Sequence, residues 1–146
     1  MKSLIIAATI LVLSIGQAFA FGGENVDSKI AKKFHSDFKN AQGVTWNVTD
    51  DFSVASYGIN GTRMETYYNN EGELIGTFHN VSLDKMPVKA LAGAQKKFKG
   101  YAITESLKAD QPYGGEAYYV TMVGADKKVI IELNDKGWYK VLTTVY

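Results

Sequence analysis

Chemistry, if this chain performs any, would have to come from few residues. His35 and His79 are the only imidazoles among 146 residues, and cysteine is absent. A protein metal site needs three or four ligands at helical or loop spacing. Neither histidine has such company, the nearest candidate being Asp37, two residues from His35, so no metal is expected. Nucleophilic catalysis lacks its parts as well. There is no Gly-x-Ser-x-Gly elbow, and His35-Ser36 falls in a helical pattern without a third member. Asp50-Asp51 is a solvated turn pair, and residues 58–61, Gly-Ile-Asn-Gly, are not followed by the helix that a phosphate loop requires. One acid–base pair stays open: His79 beside Glu65, should both fall on the same sheet face. The chain is therefore read as a non-enzyme without a cofactor, and its chemistry as that of recognition.

A recognition surface needs a scaffold, and the scaffold is legible in periodicity. Val26, Ile30, Phe34 and Phe38 recur at four-residue spacing, which predicts a helix capped at Asn25 or Asp27 and running to about Ala41. Alternating strands follow over 44–48, 52–57, 62–68 and 73–81, with Asn60-Gly61 as a two-residue hairpin turn and 69–72 as a second turn. Residues 82–85 link to a second helix after Pro87, with Val88, Leu91, Ala92, Gln95 and Phe98 on its inner face. Gly100 ends it, and strands over 102–108, 118–123, 127–133 and 137–145 complete the chain.

The second half echoes the first. A shift of 65 residues lays TYYNNEGEL over IELNDKGWY and puts Gly72 on Gly137 and Leu74 on Tyr139. Such internal similarity predicts a duplicated unit. The expected fold is α+β: tandem units over about 25–81 and 82–146, each one helix packed on an antiparallel sheet of about four strands.

Parity then assigns the faces. Val129, Ile131 and Leu133 alternate with charged Lys128 and Glu132 and must face the helix, together with Val120, Met122, Tyr139 and Val141. Ala55, Tyr57, Met64, Tyr68, Leu74 and Gly76 take the same face in the first half. The opposite face receives Phe52, Val54, Arg63, Glu65, Tyr67, Ile75, His79, Tyr119, Ile130, Trp138, Lys140 and Leu142. Aromatic residues and arginine dominate interface energetics. The candidate contact residues are accordingly Phe52, Tyr67, Tyr119 and Trp138 as anchors, with Arg63, Glu65 and Lys140 as orienting charges.

The N-terminus reads as a signal peptide. Lys2 precedes an apolar run over 4–15 that is too short to span a bilayer, and Ala18-Phe19-Ala20 has the small-x-small form of a cleavage site. Cleavage after Ala20 would release a chain of 126 residues over 21–146, a single domain's length, to the periplasm or the exterior with no stable membrane anchor. Without Lys2 the basic and acidic residues balance at 15 each. That balance gives no field for nucleic acid; Lys96, Lys97 and Lys99 complement a helix end. Absence of cysteine fits a bacterial periplasm.

Several of these segments resemble a known family. Phe34, Phe38, Asn40-Ala41, Val44-x-Trp46, Ala55-Ser-Tyr57, Asn60-Gly61, Tyr67-Tyr68 and residues 71–76 are similar to the PepSY-like, beta-lactamase-inhibitor-like periplasmic proteins of Bacteroidetes. So are Lys85-Met86-Pro87, residues 98–101, Ile103-Thr-Glu105 and Asp135-Lys-Gly137 in the second half. The resemblance spans the mature chain and implies a helix-and-sheet fold whose sheet face grips a protein, without catalytic residues. The expected function is a non-enzymatic periplasmic binding protein, inhibitor-like, that presents its aromatic sheet face to a protein or peptide. The alternative is a carrier of a small apolar ligand, with a pocket lined by Tyr57, Tyr68, Met122 and Tyr139.

Overall fold

The structure is a computed structural model that describes residues 25–113 and 115–146. The expected signal peptide and its cleavage after Ala20 lie outside the described residues. Helix α1 (Ser28–Asp37) starts at the acidic cap, where the Asp27 carboxylate accepts a hydrogen bond from Lys29 N at 2.7 Å. It stops short of the expected Ala41. Phe38 leaves helical geometry at φ −121° while its N–H still bonds Phe34 O, and its ring stacks on that of Phe34 at 5.1 Å.

Eight strands follow: β1 (Gln42–Val48), β2 (Phe52–Ile59), β3 (Thr62–Asn69), β4 (Leu74–Asn80), β5 (Ala102–Asp110), β6 (Glu116–Val123), β7 (Lys128–Leu133) and β8 (Tyr139–Val145). A short 3-10 turn, Leu83–Lys85, and helix α2 (Val88–Lys97) separate β4 from β5. The expectation of tandem units, each a helix on its own four-stranded sheet, is overturned. The strands form one eight-stranded sheet in the order β1 to β8, and the described residues contain only two α-helices, so the fold is mostly β. The echo that suggested duplication has a local cause in the turns. Asn69 Oδ1 accepts from Glu71 N and Glu73 N, and Asn134 Oδ1 accepts from Lys136 N and Trp138 N. Gly72 and Gly137 close the two turns at φ 80° and 94°, a region only glycine enters without strain.

Packing divides the chain into two compact units, one taking in residues through His79 with Asp110–Gly115, the other Asn80–Ala109 with Glu116–Tyr146. In the first, Ile30 and Phe34 of α1 pack on Ala55, Tyr57 and Tyr68. Phe34 meets Trp46 and Tyr57 edge-on at 5.3 and 4.9 Å, the geometry that aromatic quadrupoles prefer. A buried polar thread runs beneath: Tyr57 Oη to Thr66 Oγ1 at 2.7 Å, then Thr66 Oγ1 to Thr77 Oγ1 at 3.0 Å. Tyr68 is buried completely, and its hydroxyl has no hydrogen-bond partner. In the second unit Ala90, Leu91 and Ala94 of α2 pack on Val120, Met122, Val129, Ile131 and Leu133.

Helix α2 is rotated from the expected face. Val88 is 73% exposed, and Ala92 and Gln95 also face solvent. Small residues explain it. Ala90 and Ala94 let the helix backbone approach the sheet, and a Cβ on Gly93 would lie 3.2 Å from the Tyr139 ring. Close approach recovers more dispersion than burying one valine on a more distant helix.

Two β-bulges correct the parity. Tyr68 pairs with Leu74 but Tyr67 with Gly76, so Ile75 is an extra residue in β4. A single insertion exchanges the faces of everything beyond it. Gly76 thus joins Tyr67 on the outer face, Phe78 takes that face opposite Glu65, and His79 crosses to the helix side opposite Met64. In β8 the extra residue is Leu142, because Ile131 pairs with Val141 and Ile130 with Thr143.

The polar groups of the first core yield opposite expectations for two tyrosines. Tyr57→Phe should cost about 1 kcal/mol by removing one end of the Thr66–Thr77 thread. Tyr68→Phe should be neutral or stabilise by about 1 kcal/mol, since it deletes a buried unpaired hydroxyl. Urea unfolding of both variants checks the pair, and equal losses would contradict the assignment.

Candidate binding surface

The outer face of the first unit carries a ladder along β3. Arg63, Glu65 and Tyr67 stand at alternate positions, and the Tyr67 hydroxyl donates to Glu65 Oε2 at 3.2 Å. Arg63 Nη2 lies 3.9 Å from Glu65 Oε1, with the arginine side chain 77% exposed and the glutamate 27%. So loose and wet an ion pair contributes little to stability, which leaves Arg63 available for a partner. Phe78 meets Tyr67 edge-on at 5.3 Å and 80°. Sequence parity missed Phe78 because the Ile75 bulge precedes it. Phe52, Tyr67 and Phe78 are all buried.

On the second unit a cross-strand row joins three of the candidate positions or their neighbours. Tyr119 pairs with Glu132, and Glu132 pairs with Lys140. Tyr119 is buried, and burial raises its hydroxyl pKa, with the Glu132 charge adding to the effect. Glu132 Oε2 is buried without a hydrogen-bond partner. Burial pushes that carboxyl up from its ordinary 4.5, and the Lys140 ammonium opposes the shift. Lys140 itself is exposed.

Trp138 stands apart from the other predicted anchors. It is 49% exposed, whereas Phe52, Tyr67 and Tyr119 are buried. Its backbone is nevertheless fixed, since Trp138 N donates to Asn134 Oδ1 at 3.1 Å and Asn134 N to Trp138 O at 3.1 Å. The Asn-x-x-Gly turn places a large aromatic ring at a defined point in front of β8.

Other chemistry is limited. His79 lies on the helix side and Glu65 on the outer face, so the acid–base pair left open by the sequence does not form. Among the described residues no group of three or more His, Cys, Asp or Glu could hold a metal ion, and no helix is long and apolar enough to cross a membrane. The residues expected to line one ligand cavity are shared between two packed clusters, Tyr57 and Tyr68 with α1, Met122 and Tyr139 with α2. A hollow of about 480 Å³ lined by Lys39, Asn40, Ala41, Gln42, Asn60 and Gly61 is polar and open, and includes none of the four.

Glu132 gives a pH dependence with a defined sign. Its folded pKa is raised, so the stability linked to its protonated form is present below pH 4.5 and lost as pH rises through the folded value. Glu132→Gln should therefore gain melting temperature relative to wild type as pH goes from about 4.5 to about 7. Paired thermal melts across that range check this; a pH-independent difference would show that Glu132 titrates normally.

Comparison with known proteins places the fold. A DUF2874 family protein from Bacteroides uniformis superposes with a TM-score of 0.69 at 14% identity, over 83% of this chain and 89% of that one. A Bacteroides eggerthii protein provisionally described as periplasmic gives 0.69 at 15%, over 84% and 89%. A BLIP-like protein from Bacteroides fragilis gives 0.65 at 16%, over 85% and 88%. No protein-family model and no curated protein matches the sequence. At these identities what the chain shares with the three is the fold: the chain is built like the BLIP-like and DUF2874 proteins of Bacteroides.

Proposed function

We propose that this chain is a non-enzymatic periplasmic binding protein of the inhibitor-like kind, which engages a protein or peptide through the outer surface of its sheet. The observation that carries the reading is Trp138: a large ring left half exposed while the backbone beneath it is fixed by Asn134. Exposed apolar area carried on a hydrogen-bonded backbone is an anchor whose backbone ordering has been met on folding. Exposed Lys140, two residues on, supplies an orienting charge, and Arg63 with Glu65 does so on the other unit. Phe52, Tyr67 and Tyr119 belong to the same outer faces but are buried, so first contact falls to Trp138.

The fold shared with a BLIP-like protein supports the inhibitor-like element, and the likeness to a protein provisionally described as periplasmic agrees with the signal peptide read at 1–20. The closer assignment to a PepSY-like family rests on the sequence motifs alone. Export with cleavage after Ala20 predicts a mature N-terminus at Phe21, which intact-mass measurement of the secreted protein reads directly. The carrier reading has no comparable support, because the tyrosines and methionine it requires fill two separate cores.

Trp138→Ala separates a binding role from packing. Truncating a buried tryptophan costs about 3–5 kcal/mol of stability, whereas an exposed anchor costs little stability and about 2 kcal/mol of affinity, roughly 30-fold in Kd. We expect the second pattern: a nearly unchanged melting temperature together with loss of the partner captured by wild-type protein from its native periplasm. Unchanged capture by Trp138→Ala would remove the anchor.

A further inference from the structure

We propose that the edge of β8 accepts an acidic extended polypeptide segment as an added strand, a mode of contact that rests on the binding role above and specifies its chemistry. β8 is the last strand in the sheet order, so among the described residues no strand pairs with its far side. A strand edge offers a row of backbone donors and acceptors, and strand addition is a recurrent way of binding extended peptides. The side chains along this edge suit it. Between Tyr139 and Tyr146 the only charge is Lys140, there is no proline, and Val141, Val145 and Tyr146 are exposed.

Charge selects the occupant. Helix α2 borders β8: Gly93 lies against the Tyr139 ring, and Gly137, entering β8, lies against the Lys89 side chain. Lys89 and Gly93 lie four residues apart, and Lys96 and Lys97 continue that stripe at helical spacing. α2 has no acidic residue. Exposed Lys136 and Lys140 add to this rim, against Asp135 in the turn and the partly buried Glu132 across from Lys140. A positive rim on both faces of an open edge attracts a negative strand and repels a like one.

The same devices argue against a second copy of this chain. Lysine on an edge strand and a bulge, here at Leu142, are standard protection against edge-to-edge self-pairing. Protection by charge is selective in sign, however. It blocks a copy that carries the same lysines and leaves the edge open to a carboxylate-bearing strand. The bulge limits the added ladder to the stretches on either side of Leu142.

The test uses the secreted chain, isotopically labelled, with a peptide of alternating valine and glutamate about ten residues long. Its backbone amides in β8 should shift and gain exchange protection, while a peptide of alternating valine and lysine should leave them unchanged. Lys140→Glu should weaken the acidic peptide at least tenfold, as should raising salt from about 50 to about 300 mM. Two further peptides, methylated at alternate backbone nitrogens in the two possible registers, distinguish strand addition from simple attraction: one should bind and the other fail. Equal binding by both methylated forms, protection outside β8, or pairing of β8 with a second copy by light scattering and amide protection would each overturn the inference. If the acidic peptide fails while Trp138→Ala still releases the native partner, the edge falls alone. If the peptide adds to β8 but Trp138→Ala has no effect on partner capture, it is the Trp138 reading that falls.

Discussion

Alternation of side chains along a strand is the constraint on which this structure rests. In each unit a single ten-residue helix covers one face of the sheet, so every strand beneath it must hold its apolar residues in one parity. Among the described pairings the register departs from this alternation at one inserted residue in β4, one in β8 and between Gln42 and Thr45 at the start of β1. Each insertion exchanges the faces beyond it. Ile75 turns Phe78 outward and His79 inward, and Leu142 brings Thr143 to the face of Ile130. Which side chains β4 and β8 present on each face follows from where Ile75 and Leu142 fall.

Much of the scaffold was legible because its signals are local. Helix α1 with its Asp27 cap, the Asn60-Gly61 hairpin at φ 50° and 76°, and the helix-side residues of β2, β6 and β7 all follow from spacing and turn chemistry. What failed depended on distance in the chain or on packing. Nothing in a sequence says whether the strand after the second helix joins the sheet already built or begins another, and here the order continues from β4 to β5. Nor does the pattern LIGTFH mark Ile75 as the extra residue. The face of α2 was misjudged because valine outranks alanine in hydrophobicity, while the sheet selected the residues that let the helix come close. Of the candidate site residues, Trp138 and Lys140 are exposed, whereas Phe52, Tyr67 and Tyr119 are buried by neighbours that parity does not report.

Buried polar groups divide by whether the fold completes them. Tyr57, Thr66 and Thr77 come from three neighbouring strands and satisfy one another, so their hydroxyls help to fix the register of β2, β3 and β4. Tyr68 and Glu132 hold atoms with no hydrogen-bond partner, and each such atom carries a desolvation cost of about 1–3 kcal/mol. The Tyr68 ring compensates by filling the α1 core beside Trp46, where its apolar area outweighs the hydroxyl. For Glu132 the compensation is electrostatic and incomplete: Lys140 lies across from it, yet burial still raises its pKa.

The same pair bears on recognition. Lys140 is an exposed cation that lies across from Glu132 on β7, and it follows by two residues a tryptophan whose backbone is fixed by a turn. A carboxylate arriving from a partner would meet an exposed ammonium beside the apolar surface of that ring. Both parts derive from the same short segment. Asn134 and Gly137 shape the turn, the turn presents Trp138, and regular pairing from Tyr139 carries Lys140 to the outer face before the bulge at Leu142 intervenes. An insertion three residues earlier, at Tyr139, would have paired Lys140 with Leu133, turned it toward the helix and left the ring without its charge.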